Sequence, residues 1–240
     1  MARRVSHVYR VGMETPRQRA RRQTMDDIVR LGREQLATVT AAELSLRAVA
    51  RELGIVSSAI YRYVKDRDEL LTLLIVDAYD EVGAAVEDAV AAASRRSPRA
   101  RALVACQAFR AWSLREPSRF ALLFGTPVPG YAAPADRTVE PGTRVPAVLM
   151  ALLEEAHQTG SVTPPAGPVP RSVRRDMDAI AQEYGLTAPA ASLARGLGLW
   201  SALVGAVSFE IFDQYGPDTF TDPGAFFDLH LEALITSVGF

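Results

Sequence analysis

Two short runs of apolar residues on either side of Gly54 constrain the fold of this chain most strongly. In the first run, apolar residues recur at intervals of three and four, as on one buried helical face: Leu46, Val49, Ala50 and Leu53. Ser45 can cap this helix with its hydroxyl, and Gly54 can end it in a left-handed conformation. Two helices joined by such a short turn form the helix-turn-helix pattern.

The second run predicts a second helix, capped by Ser57, with Ala59, Ile60 and Val64 on its buried side. The apolar spacing alone would fit an ordinary antiparallel helix pair equally well. The outward residues at the end of this helix are Tyr61, Arg62 and Tyr63. Because Tyr, Arg and Ser side chains hydrogen-bond phosphates and base edges, this composition favours DNA binding.

The stretch from Leu46 to Leu70 resembles the DNA-binding domain of the TetR (tetracycline-repressor-like) family of bacterial regulators. The matching blocks are Val-Ala-x-x-Leu-Gly at 49–54 and Ile-Tyr-Arg-Tyr at 60–63. A basic residue then opens the next helix, where the family most often has Lys and this chain has Arg67. The resemblance is specific, since it fixes apolar, Gly, aromatic and basic positions together.

The resemblance implies DNA contacts for nine residues of this head. Contacts to phosphates or a groove edge are implied for Arg47, Tyr61, Tyr63 and Arg67. Base contacts are implied for Ser57, Ser58 and Ala59, whose short side chains also suggest that DNA shape contributes to specificity. Arg62 would reach either a phosphate or a base, most readily a guanine, and Lys65 would contact DNA or remain solvated.

Charge is distributed unevenly along the 240 residues. Residues 1–70 hold 14 basic and 9 acidic side chains, whereas the remaining 170 residues hold 13 and 19. A basic head on an acidic body suits a DNA-binding protein whose body does not touch DNA. We therefore predict a flexible arm over 1–15, a helix-turn-helix domain over 16–66 and a helical body over 67–240.

Apolar periodicity predicts helices through the rest of the chain, and no alternation typical of a strand persists. The predicted fold is all-α: a three-helix N-terminal head and a larger C-terminal helical domain. Pro- and Gly-rich stretches at 126–146 and 159–170 are expected to be ordered loops or lids. The expected helices span 16–37, 67–93, 98–115, 145–158, 173–183, 188–212 and 223–238.

The body resembles the C-terminal domain of a TetR subclass marked by a Trp-x-x-x-x-Gly-like (WHG-type) block. The matching residues run from Phe120 to Tyr131 and from Trp200 to Glu210, with Val204 where His often precedes the glycine. The resemblance implies that this domain binds a ligand and forms a dimer. A ligand pocket would involve Phe109, Trp112, Leu123, Phe124 and Tyr131. A set of aromatic residues at helical spacing is more often plain core, but mostly apolar pockets between helices are the usual ligand sites. A homodimer interface would involve Trp200, Leu203, Val204, Val207, Phe227, Leu231 and Leu234.

Several function classes find little support in the residues. Cys106 is the single cysteine, and His157 and His230 are isolated, so we expect no disulfide, no metal and no cofactor. No apolar segment follows the Arg-rich first residues, and the apolar run at 196–209 is short for a membrane span. We expect a cytoplasmic protein without a membrane partner.

The sequence therefore predicts a dimeric transcriptional regulator and not an enzyme. We expect a repressor that leaves a palindromic double-stranded DNA operator when a small-molecule effector binds. The alternative is an α-helical carrier or enzyme whose N-terminal head is only structural. An enzyme would need a nucleophile–base pair, a phosphate loop or a metal cluster, and none is recognisable in the sequence.

Overall fold

The computed structural model describes residues 15–163 and 167–240, and it contains nine α-helices and no strand across those residues. The helices are α1 (Pro16–Leu36), α2 (Leu46–Glu52), α3 (Arg67–Ala92), α4 (Pro98–Arg115), α5 (Pro117–Phe124), α6 (Ala135–Gln158), α7 (Arg171–Tyr184), α8 (Ala190–Ile211) and α9 (Pro223–Val238). The all-α fold is thus confirmed. The arm predicted for 1–15 lies outside the described residues except for Thr15.

The chain divides into two compact units, residues 1–70 and residues 71–240. Helix α3 contains the last residues of the first unit and the first residues of the second. The boundary predicted after residue 66 falls four residues earlier. Each unit is described separately below.

Local capping defines the helices of the first unit. Thr15 caps α1 through a reciprocal pair of bonds with Gln18, and Pro16 occupies its first turn. Ser45 caps α2 by accepting a hydrogen bond from the Ala48 N–H, as predicted. Gly54 then adopts a φ of 69°, the left-handed conformation that favours glycine.

The prediction of a second α-helix in this unit, capped by Ser57, is wrong. Residues 57–59 form a turn, and only Ile60–Arg62 are helical, as a single 3-10 turn. Backbone hydrogen bonds between residues three apart, as in a 3-10 helix, hold this segment. The Ala59 N–H donates to Val56 O (2.8 Å), and the Tyr63 N–H donates to Ile60 O (2.8 Å). A short segment of Ser, Val and Tyr residues has weak helix propensity. The conformation of this segment is therefore stabilised by the packing of the buried Ile60 side chain.

The second unit is built around one large apolar core. Its centre is aromatic, with Phe109, Trp112 and Phe120 fully buried. Helices α3, α4, α6, α8 and α9 contribute the surrounding aliphatic residues. Helices α4 and α9 begin and end at the predicted residues.

Helix α6 corrects the prediction for the first Pro- and Gly-rich stretch. Only 125–134 form a loop, and α6 then runs through Pro141 and Pro146. An internal proline loses a backbone hydrogen bond, so packing has to stabilise this helix. Gly142 allows that packing, because a Cβ there would lie 3.3 Å from the Tyr79 ring of α3. The Arg144 guanidinium adds two bonds to the Glu87 carboxylate, at 2.7 and 2.9 Å.

Helix α8 is also long and apolar enough to cross a membrane by length and composition. This is weak evidence, because the core helices of many proteins meet the same criterion. Here α8 packs against α4, α6, α7 and α9. Only 39% of its most apolar window is buried, so much of the helix surface stays accessible in the protomer.

A buried carboxylate, Glu154 of α6, holds the segment between α7 and α8. It accepts hydrogen bonds from the backbone N–H groups of Thr187 and Ala188, both at 2.9 Å, and from the Thr187 hydroxyl and Gln158 amide. Burial raises the pKa of Glu154, but these hydrogen bonds outweigh it and bring the pKa to about 2. The ionised carboxylate therefore stabilises the fold.

We expect Glu154→Gln to lower the free energy of unfolding at about pH 7 by about 1–3 kcal/mol, since charged hydrogen bonds would be lost. The folded-state pKa of about 2 lies below the ordinary 4.5, so this contribution is complete above pH 4.5 and declines as pH falls toward 2. Urea unfolding at about pH 7 and about pH 3.5 measures it. Glu183→Gln, at an exposed site of α7, is the control. A destabilisation that is equally large at both pH values would contradict this account.

Candidate functional site

The predicted DNA contacts lie on one short segment of the first unit and on α2. Six of the nine are exposed: Arg47, Ser57, Ser58, Tyr61, Arg62 and Lys65. Ala59, Tyr63 and Arg67 are half-buried. The turn at 57–59 therefore presents two serine hydroxyls outward, while Ile60 and Val64 anchor the segment in the core.

The structure brings three of the predicted phosphate contacts together. Arg47, Tyr61 and Arg67 line a surface hollow of about 270 Å³, beside the carboxylate of Asp66. The Arg67 guanidinium donates to the Ala42 carbonyl at 2.9 Å and to Asp68 at 3.3 Å. Arg67 therefore positions the loop before α2 as well as carrying charge.

Arg21 of α1 was not singled out from the sequence. Its guanidinium donates to the Arg62 carbonyl at 3.2 Å and lies over the Tyr63 ring, 5.3 Å from the ring centroid. Both contacts fix the backbone that carries the exposed Arg62 side chain. The sequence offered only a run of arginines at 17–22, which reads equally well as a solvated surface.

The second unit contains two cavities of about 440 Å³ each, within the size range of small-molecule sites. The first, here called the α3–α6 cavity, is bounded by α3, α5, α6 and the loop at 125–133. Its lining is Ile75, Tyr79, Leu122, Leu123, Gly125, Thr126, Pro127, Val128, Tyr131, Ala133, Thr138, Val139, Gly142 and Thr143. The second, the α6–α8 cavity, lies among α6, α7 and α8 and includes Met150, Glu183, Tyr184 and Trp200.

The predicted pocket residues separate into two groups. Leu123 and Tyr131 line the α3–α6 cavity. Phe109, Trp112 and Phe124 line neither cavity. Phe109 and Trp112 are fully buried, so their assignment to the pocket is wrong, whereas that of the half-buried Phe124 stays a prediction. Phe109 packs edge-on against Phe124 and Trp200, and the Trp112 indole N–H donates to Glu81 at 3.1 Å. The alternative of an aromatic core holds for Phe109 and Trp112.

The predicted dimer interface also needs correction. Leu203, Val207, Phe227 and Leu231 are at most 5% exposed within a single protomer, so they stabilise its own core. Trp200, Val204 and Leu234 are half-buried. The accessible face of α8 and α9 carries mainly small residues together with a few larger apolar ones: Gly198, Ser201, Phe209, Leu229, Ala233 and Ser237.

The described part of the chain holds one thiol and no candidate metal cluster. No group of three or more His, Cys, Asp or Glu side chains there could hold a metal ion. Cys106 is buried in α4, and burial raises the pKa of its thiol to about 12, which keeps it protonated and unreactive. The cavities can therefore bind a molecule, and the head can present basic and aromatic groups to a polyanion.

Together, a helix-turn-helix head and a larger helical body define a type of DNA-binding protein. Residues 102–234, more than half of the chain, match the family model described as the tetracyclin repressor-like C-terminal domain. The HTH-type transcriptional regulators Rv1816 of Mycobacterium tuberculosis and Mb1846 of Mycobacterium bovis are each 43% identical over 219 residues, which covers 91% of this chain and 94% of theirs.

A solved structure supports the same relationship. The crystal structure of the putative regulatory protein SCO4313 is 35% identical in sequence, with a TM-score of 0.75, and the match covers 92% of this chain and all of that one. The chain belongs to the TetR family of helix-turn-helix DNA-binding transcriptional regulators. The resemblance found from its sequence is thus confirmed.

Two substitutions in the head should separate affinity from specificity. Tyr61→Ala is expected to weaken binding to operator and random DNA by the same factor, because a phosphate contact is independent of sequence. Arg62→Ala is expected to cost about 1–3 kcal/mol on operator DNA and less on random DNA, because a base contact is lost. Fluorescence anisotropy with both DNAs measures this. Arg51→Ala, at an exposed arginine of α2, is the control. If Arg62→Ala, like Tyr61→Ala, weakened binding to operator and random DNA by the same factor, the assignment of a base contact to Arg62 would be contradicted.

Proposed function

We propose that this regulator is a dimeric repressor that leaves a palindromic operator when a small-molecule effector enters its second unit. One observation carries the proposal. Helix α3 begins with Arg67, which lines the hollow of the first unit, and continues without interruption to Ile75 and Tyr79, which line the α3–α6 cavity. A single helix therefore contributes residues to both candidate sites.

The cavity supports the effector part of the proposal. Its volume and its mostly apolar walls, with a few hydroxyls, are typical of small-molecule sites. A ligand can shift the balance between two states only if it binds them differently. Because α3 forms one wall of the cavity, a bound molecule that moves α3 has such a differential affinity. Coupling of this kind usually changes affinity at the second site 5- to 150-fold, as a rough range.

The accessible face of α8 and α9 supports the dimer. Glycine in mid-helix costs roughly 0.5–1 kcal/mol relative to alanine, so it needs a reason. A Cβ at Gly196 would lie 2.8 Å from the Met150 sulfur, which explains that glycine within the protomer. A Cβ at Gly198 or Gly205 would meet nothing within 4 Å. These two positions suit the close approach of a helix from a second copy, and a two-fold dimer implies a palindromic operator.

The alternative, a carrier or enzyme with a structural head, lacks a supporting feature in the cavities. The α3–α6 cavity is lined by no carboxylate, imidazole or thiol that could act as a general base, and the α6–α8 cavity offers Glu183 alone. A carrier with no affinity for DNA stays distinguishable by experiment. Repression would act on chromosomal DNA, so the proposal also places the protein in the cytoplasm.

The test is to select bound fragments from the source genome and to titrate the best fragment at several salt concentrations. We expect an enriched inverted repeat, hereafter the operator, and an affinity that falls steeply with salt as phosphate contacts release counterions. Gly205→Trp is expected to yield a monomer by light scattering and to lose operator binding at least 10-fold. Gln182→Trp, at an exposed position of α7, controls for the added side chain.

Three outcomes would overturn parts of this proposal. Enrichment of no fragment, with equal weak binding to all DNA, would favour the carrier. An enriched site without two-fold symmetry would contradict the dimer model. A Gly205→Trp variant that remains a dimer and binds the operator normally would move the interface away from this face of α8.

A further inference from the structure

The α3–α6 cavity has a distinctive lining, because none of its residues carries a formal charge at neutral pH. Its polar groups are the backbone and the hydroxyls of tyrosine and threonine. Burial raises the pKa of Tyr79, which keeps that phenol neutral. Arg144, the next residue after the lining Thr143, is already paired with Glu87 and Asp80 of α3.

An uncharged lining restricts what the cavity can bind. Moving an ionised group out of water costs several kcal/mol unless a counter-charge meets it, as an order-of-magnitude estimate. The threonine hydroxyl protons are largely used within the protein, because Thr138 donates to Pro134 O (2.9 Å) and Thr143 to Glu140 O (3.0 Å). The hydroxyls of Tyr79 and Thr126 have no hydrogen-bond partner among the described residues, and since Tyr79 is the less exposed of the two, it is the better placed to orient a polar atom of a ligand.

A side-chain hydrogen bond joins the loop at 125–133 to α3. The Tyr131 hydroxyl lies 2.9 Å from the Thr72 hydroxyl, and Thr72 is buried near the start of α3. Tyr131 also lines the cavity. A molecule in the cavity therefore lies beside a side-chain bond through which this loop contacts α3, five residues after Arg67.

We propose that the effector of this regulator is an uncharged, largely apolar molecule that binds in the α3–α6 cavity and signals by displacing the Tyr131–Thr72 hydrogen bond. This inference rests on the proposed function, because it names the effector class and the contact that responds to it. The α6–α8 cavity is not the signalling site, since its lining includes no residue of α3 and includes the carboxylate of Glu183.

Two fluorescent probes that differ by one charged group test the ligand class. N-phenyl-1-naphthylamine is uncharged, whereas 8-anilino-1-naphthalenesulfonate has the same rings with an added sulfonate. We expect the uncharged probe to bind the full-length protein saturably and at least 10-fold more tightly than the sulfonate. Binding of the sulfonate with equal affinity in the same cavity would overturn the inference, and so would no saturable binding of the uncharged probe.

Cavity-filling substitutions identify the site of the probe. Val139→Trp and Ala133→Trp each place a bulky ring at an exposed edge of the α3–α6 cavity, where the fold should tolerate it. Ala147→Trp places the same ring at an exposed edge of the α6–α8 cavity. We expect the first two variants to lose probe affinity at least 10-fold and the third to change it less than twofold. The reverse pattern would assign the site to the α6–α8 cavity and overturn the inference.

Amide hydrogen exchange tests the signalling contact without any DNA. In the wild type, saturating N-phenyl-1-naphthylamine should change exchange both at 75–80, beside the cavity, and at 67–73, beside Thr72. In Tyr131→Phe the change at 75–80 should persist and that at 67–73 should disappear. Thr126→Val, which removes a different lining hydroxyl, should behave as the wild type. An unchanged response at 67–73 in Tyr131→Phe would refute the role of this bond.

These measurements fail independently of the proposed function. Failure to bind an operator would contradict the repressor proposal. The probe and exchange experiments use no DNA, so they would still test the ligand class and the Tyr131–Thr72 bond. Operator binding together with tighter binding of the charged probe would support the repressor proposal and contradict the proposal of an uncharged effector.

Discussion

Two arginines hold α3 in the second unit, and the arrangement of the candidate effector site depends on them. Arg119 of α5 is almost fully buried and bonds the carboxylates of Asp77 (2.9 Å) and Glu81 (2.6 Å). Arg144 of α6 bonds those of Asp80 and Glu87. All four carboxylates belong to α3. Removing one partner of a buried pair leaves an uncompensated charge, so the pairs of Arg119 fix α3 firmly against α5. The half-exposed pairs of Arg144 add a weaker link between α3 and α6.

These ion pairs and the packing beside them form one constraint. A Cβ at Gly83 would lie 2.8 Å from the Arg144 Nε, so α3 needs glycine there to receive the guanidinium. Gly142 similarly lets α6 contact the Tyr79 ring. The α3–α6 cavity is lined by α3, by α5, which carries Arg119, and by α6, which carries Arg144. A ligand that enlarges the cavity therefore has to strain the ion pairs that join these helices to α3. Close-packed interfaces tend to switch between discrete arrangements, which suits a regulator with two states.

The sequence predicted those elements whose ends are determined locally. Ser97 and Asp222 each accept a hydrogen bond from the N–H three residues later, and a proline follows each, so α4 and α9 were predicted to the residue. Helix α6 was predicted too short, because Pro141 and Pro146 are compatible with a helix only through contacts with α3. The 3-10 turn at 60–62 was likewise predicted as a longer helix, since tertiary packing and not propensity holds it.

The candidate sites were predicted less completely, for a related reason. Helix α8 is apolar on most sides, so its pattern could not tell the core residues Leu203 and Val207 from the accessible Gly198 and Phe209. Aromatic spacing similarly placed Phe109 and Trp112 in a pocket when they form the core. Arg62 and the serines at 57 and 58 are exposed, as predicted, because they have no packing role, and their DNA contacts stay a prediction.

The central claim is that contacts made to α3 in the second unit set the affinity of the first unit for DNA. The most direct measurement is the operator Kd, at fixed salt, for Arg144→Gln and for Arg101→Gln, whose ion pair with Glu155 joins α4 to α6 and does not involve α3. We predict a change of about 5-fold or more for Arg144→Gln and less than twofold for Arg101→Gln, given a typical coupling energy of about 1–3 kcal/mol. Wild-type affinity in a correctly folded Arg144→Gln protein would contradict the claim.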